Sequence, residues 1–190
     1  MKLKRTSHFI GFKLDSEAFV DLYVRIQQFL DENNIAACVE LQNILSLHTT
    51  LYYFEAEIPA KDKTGIEDFI STLQNDGQKY TISLNGFEYF RRESKEEILY
   101  LKPKNDSLPI LHKQLATRFQ RNGIVDDQYT FIPHITLLKI VDLLTFQKHR
   151  LQFEEIISQC LEEISSKDVC EGIHFFAAYS QGRPEIQIPR

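Results

Sequence analysis

Six histidines occur in the chain, and two of them stand in the same four-residue frame. His48 opens His-Thr-Thr-Leu and His134 opens His-Ile-Thr-Leu, so both read His-x-Thr-Leu. His8, His112, His149 and His174 have no hydroxyl residue two places on. Ser and Thr fill roughly a tenth of the chain, so about one such coincidence is expected by chance. A matched pair, each in a β-rich run and each followed by Leu, is more specific than either motif alone. On a strand, side chains alternate faces, which puts His48 with Thr50 and His134 with Thr136.

Such a pair suits phosphodiester hydrolysis. A base must deprotonate the attacking water, and an acid must protonate the departing oxygen. For in-line displacement the two stand on opposite sides of phosphorus. Imidazole, with a reference pKa of ~6.5, serves either role near neutral pH. A Thr hydroxyl on each side can donate to the non-bridging oxygens. The chemistry needs no cofactor and no metal. His134 is assigned as base and His48 as acid, although matched halves make the two interchangeable on paper.

Other chemistries lack their residues. There is no HxH, HExxH or Cys/His cluster for zinc, no GxSxG elbow and no Gly-rich phosphate loop. The three cysteines form no CxxC pair, which fits a reducing cytosol and small buried side chains. A cytoplasmic protein is expected. A net charge of −5 argues against a coat for long nucleic acid but leaves room for a small phosphorylated substrate in one pocket. No run approaches the roughly 18 apolar residues of a membrane helix.

The 190 residues, 43% hydrophobic and 26% charged, with only 7 Gly and 6 Pro, leave little for linkers. His8 to Leu14 reads as a strand, followed by an amphipathic helix capped at Asp15 or Ser16 and ending near Asn33 and Asn34. Leu45 to Phe54 reads as a strand, Pro59 to Gly65 as a loop and Ile66 to Leu73 as a short helix. Tyr80 to Phe90 reads as a strand with a bulge at Gly86. The order then repeats: a strand at Ile98 to Leu101, a helix from Ser107 toward Gly123, and a strand at Phe131 to Ile140. A helix from Thr145 to Ile164 and strands at Gly172 to Tyr179 and Glu185 to Ile188 complete it. The expected fold is α+β: one domain over residues 1–190 with two pseudo-twofold lobes, roughly 1–92 and 93–190, free to exchange segments. Each lobe carries an antiparallel-dominated sheet with helices outside and a central cleft between lobes.

The paired motifs, their strand setting and their separation resemble the 2H phosphoesterase superfamily, which includes LigT-like RNA 2′,3′-cyclic phosphodiesterases. The resemblance implies a bilobal, pseudo-symmetric fold. It implies metal-independent hydrolysis of 2′,3′-cyclic phosphates or 2′-5′ bonds in RNA or oligonucleotides, with His48, Thr50, His134 and Thr136 at the site. It also implies an aromatic or basic residue near the base, for which Tyr52, Tyr129, Phe131 and Tyr179 are candidates. Lys139, Arg91, Arg92 and Arg183 are candidates for phosphate contacts. Degradation of 2′-5′ oligoadenylate or cyclic-nucleotide signals, and a nucleotide-binding module that does not cut, are the alternatives; a plain scaffold would bind no nucleotide. The expected partner is an RNA end, an oligonucleotide or a small cyclic nucleotide, with no membrane and a monomeric chain.

Overall fold

The computed structural model describes residues 8–54, 58, 60–75, 80–91, 96–119, 131–178 and 184–186. In chain order the elements are β1 (His8–Leu14), α1 (Val20–Glu32), β2 (Val39–Leu41), β3 (His48–Tyr53), α2 (Ala60–Asn75), β4 (Ser83–Arg91), β5 (Glu97–Lys104), α3 (Ser107–Phe119), β6 (Ile135–Ile140), α4 (Leu143–Phe146), α5 (Arg150–Ile164), β7 (Cys170–Ala178) and β8 (Pro184–Ile186).

The strands form two antiparallel sheets, ordered β3-β1-β7-β8 and β2-β6-β5-β4. This is the α+β architecture expected from the sequence. Each sheet draws strands from both halves of the chain: β4 joins the second sheet and β7 the first. Helix α3 packs on β3 and α2 on β7, whereas α5 packs on β4 and carries α1 against it. The reason lies in the apolar stripes. Leu22, Ile26, Phe29 and Leu30 of α1 are buried, and Phe29 meets Phe153 of α5 at 5.6 Å. Leu108, Leu111 and Leu115 of α3 are buried in the same way. One hydrophobic cluster takes Ile10, Phe12 and Leu14 from β1, Leu99 and Leu101 from β5, and Leu137 and Leu138 from β6.

Several ends follow their local chemistry. The Asp15 carboxylate accepts from the Glu17 amide at 3.0 Å and caps a short 3₁₀ turn, Ser16–Phe19, that leads into α1. Asn34 adopts φ +56 just after α1, and the Asn33 side-chain amide donates to the Phe29 carbonyl. Gly86, at φ +88, sits in the bulge of β4, as expected. The C-terminal helix departs from expectation by splitting. Asp142, rather than Thr145, caps α4, accepting from the Thr145 amide and hydroxyl. The turn at 147–149 then separates α4 from α5. The predicted stop at Gly123 and the turn at Gln181-Gly182 lie outside the described residues.

Gly11 is demanded by close approach. A Cβ there would come 2.5 Å from the Thr49 carbonyl oxygen, which is backbone and cannot swing aside. Gly11→Ala must therefore push β3 off β1. We expect a loss of about 1–3 kcal/mol, as for other overpacked sites, measurable as a lower melting temperature.

Candidate active site

The two motifs are built alike. His48 is the first residue of β3, and His134 directly precedes β6. His48 Nδ1 donates to the Ser46 carbonyl at 2.8 Å, and His134 Nδ1 donates to the Ile132 carbonyl at 2.9 Å. In both cases the acceptor lies two residues upstream. A carbonyl can only accept, so each Nδ1 holds a proton and each neutral ring keeps its lone pair on Nε2. Local sequence prepares both acceptors. Ser46 closes a 3₁₀ turn capped by the Asn43 side chain. Ile132 is held extended by the proline that follows it.

The fourth motif residue is a bulge in each strand. Gly11 pairs with Thr50 and Ile10 with Tyr52, so Leu51 is the extra residue. Tyr100 pairs with Thr136 and Leu99 with Leu138, so Leu137 is extra in the same way. Each bulge resets the alternation. Beyond it, Tyr53 and Lys139, not Tyr52 and Leu138, share a face with the His-Thr pair. The burial agrees with the reset: Leu137 and Leu138 are both fully buried, while Thr136 and Lys139 are half-buried.

The aromatic candidates are accordingly redistributed. Unbroken alternation places Tyr52 on the His48 face. The bulge turns it away, and its ring meets Phe54 at 5.0 Å and Phe119 of α3 at 6.1 Å. Tyr53 takes the place beside Thr50: it is 52% exposed, and its hydroxyl and Thr50 Oγ1 hydrogen-bond at 3.3 Å. Phe131 lies flat on His112, with centroids 4.1 Å apart. Tyr129, Tyr179, Arg92 and Arg183 lie outside the described residues. Among the cations, Lys139 pairs with Glu96 at 3.0 Å, and exposed Arg91 pairs with Glu97 at 3.4 Å.

Aromatic rings frame both histidines. His48 sits 4.7 Å from Phe9 and 5.4 Å from Phe176, and those two rings stack on each other at 4.6 Å. His134 meets the edge of Phe90 at 5.0 Å and lies 5.8 Å from Tyr100, with Phe90 stacked on Tyr100 at 4.0 Å. The Tyr100 hydroxyl donates to Glu88 at 2.8 Å. Burial and that carboxylate push it up to about 12, so it stays protonated at neutral pH. His174 lies on the same face of the first sheet, pairing across from Gly11, and burial pushes its imidazole down. No local pattern points to these neighbours, because they come from β1, β4, β5 and β7. Only the tertiary pairing brings them to the motifs.

Strands β3 and β6 run close together across the two sheets. His134 is near enough for its charge to act on His48. Burial pushes His48 below the ordinary imidazole value, the Ser46 carbonyl opposes that, and the charge of His134 pushes it further down. Among the described residues, no three His, Cys, Asp or Glu side chains gather as a metal would require. No helix among them is long and apolar enough to cross a membrane.

A fold of two antiparallel sheets with a His-x-Thr pair on each defines a 2H phosphoesterase. Residues 6–171 match the family described as "AKAP7 2'5' RNA ligase-like domain", and the chain belongs to that family within the superfamily. No curated protein matches the sequence. Solved structures share the fold at low identity. TT0787 of Thermus thermophilus is similar with a TM-score of 0.63 and 16% identity, over 97% of this chain and 95% of that one. Escherichia coli LigT, in a structure complexed with 3′-AMP, gives 0.56 and 16%, over 98% and 96%. Usb1 of Kluyveromyces marxianus gives 0.52 and 11%, over 90% and 93%.

Proposed function

We propose that the protein is a metal-independent phosphodiesterase that opens 2′,3′-cyclic phosphates, or cleaves 2′-5′ bonds, of RNA ends and oligonucleotides. One observation carries this: two imidazoles on adjoining strands, each with Nδ1 tied to the carbonyl two residues upstream and Nε2 left for chemistry, with a Thr beside each. Membership of a phosphoesterase family and the 3′-AMP held by LigT support a nucleotide substrate.

The direction of the His48 shift favours the neutral ring. Neutral imidazole accepts a proton, so His48 serves as base, which leaves the acid's part to His134, the reverse of the assignment made from sequence. In the proposed step His48 Nε2 takes a proton from water as the water oxygen bonds to phosphorus. The bond from phosphorus to the 2′ or 3′ oxygen breaks, and His134 gives that oxygen its proton. Thr50 and Thr136 donate to the non-bridging oxygens. Phe90 and Tyr53 offer faces on which a base can stack, an interaction worth ~1–3 kcal/mol in single-strand binders.

The test is a substrate panel in EDTA: nucleoside 2′,3′-cyclic phosphates, 2′-5′ and 3′-5′ dinucleotides, and cyclic dinucleotides. Turnover of the first or second class is expected. Tight binding with no turnover of any member would favour a binding module instead. The pH dependence of kcat/KM carries its own expectation. A base with a lowered pKa stays neutral into mild acid, so the acid limb falls below the ordinary imidazole value of ~6.5. The two apparent values belong to the pair, not to single residues.

A further inference from the structure

His112 belongs to neither motif, yet it is tied to both. It stands on α3, and its Nδ1 donates to the Leu51 carbonyl at 2.6 Å. Leu51 is the bulge residue next to Thr50. Strand β3 is the edge of its sheet, so carbonyls on its outer side have no ladder partner. The imidazole also lies parallel to Phe131, at 6° between planes and 4.1 Å between centroids. Phe131 directly precedes Ile132, whose carbonyl accepts from His134. One ring thus connects the bulge of the first motif to the chain that orients the histidine of the second.

We propose that His112 and Phe131 form a strut that fixes the separation of the His48–Thr50 and His134–Thr136 pairs, making His112 a positioning residue for the reaction proposed above. The inference rests on that function for its catalytic consequence but not for its structural one. A bulge residue lacks a ladder partner, and the ladder is disrupted around it. A donor aimed at its carbonyl pins it. The flat stack leaves the approach to His134 little room to slide. An in-line displacement held between two groups tolerates little error, and a misplacement of about 1 Å costs roughly 10²-fold in rate.

Three variants separate donor from ring. His112→Phe keeps the stack and removes the donor. His112→Gln supplies an amide donor in place of the imidazole. Phe131→Leu keeps the donor and removes the stack. Each is measured for kcat and KM on a nucleoside 2′,3′-cyclic phosphate, for melting temperature, and for the NMR titration of His48 and His134. We expect His112→Phe to lower kcat by roughly 10–100-fold with KM little changed. His112→Gln should recover most of that loss, and Phe131→Leu should fall between. In His112→Phe, the titration of His48 should move away from its wild-type position, because the distance between the two motifs is no longer held. Unchanged kcat and unchanged titration in His112→Phe would overturn the strut. So would a loss that only follows melting temperature, with Gln no better than Phe. If the wild-type chain turns over no phosphodiester, the proposed function fails, and the titrations alone decide the strut.

Discussion

We expect alanine at His48 or at His134 to lower kcat/KM for a nucleoside 2′,3′-cyclic phosphate by about 10²–10⁴-fold, the usual worth of one positioned acid or base. The double variant loses little more than either single one. In the proposed step water attack and departure of the leaving oxygen belong to one displacement, so removing one partner should disable what the other contributes. The loss falls on kcat rather than KM, because proton transfer develops only at the transition state. Stability changes little at His134, which touches Phe90 and Tyr100 through ring edges. It falls more at His48, whose ring packs against both Phe9 and Phe176. Each aromatic contact is worth about 0.5–1.5 kcal/mol. Melting curves recorded beside the kinetics therefore separate a chemical loss from a folding loss. Retention of wild-type rates by both single variants would remove the acid–base mechanism.

Valine at Thr50 or Thr136 is the second large effect. Valine keeps the branched shape and the strand preference but removes the hydroxyl. If that hydroxyl meets charge on the phosphoryl oxygens, kcat falls by about 10²–10³-fold, as for removal of one donor from an oxyanion site. The two positions differ in their surroundings. Thr50 is 9% exposed and shares its hydroxyl with Tyr53, while Thr136 is half-buried beside Tyr100 in register. Valine at Thr50 therefore strips a partner from Tyr53 as well. Tyr53→Phe, which keeps the Thr50 hydroxyl, should cost far less. A Tyr53→Phe variant as slow as Thr50→Val would mean that the phenol, not the threonine, meets the phosphate.

Much of this was legible in the residues. The apolar stripes placed α1, α3 and α5, and the repeated motif placed the histidines at corresponding strand starts. Strand β2 has no signal in the sequence, because three residues, Val39–Leu41, carry no period of their own and pair only with distant β6. Helix α2 begins at Ala60, before Gly65, where a loop was expected. Space around Gly65 is open, so the glycine disturbs no packing there. Strand β5 runs past Leu101 to Lys104 despite Pro103. Pairing with β6 ends at Leu101, so the missing N–H of Pro103 breaks no bond on that side. The bulges were legible in principle. In Ile135-Thr136-Leu137-Leu138-Lys139-Ile140, two adjacent leucines between Thr and Lys cannot both reach the core by strict alternation. Carried across to the matching motif, the same break turns Tyr53 rather than Tyr52 to the face of His48 and Thr50.

The most direct test is a crystal structure of the wild-type chain soaked with a nucleoside 3′- or 2′-monophosphate. We expect one phosphate between the motifs, with both imidazole Nε2 atoms at hydrogen-bond distance, about 2.6–3.2 Å, from its oxygens and a threonine hydroxyl on each side. A phosphate touching only one of the two rings, or bound away from both, would contradict it.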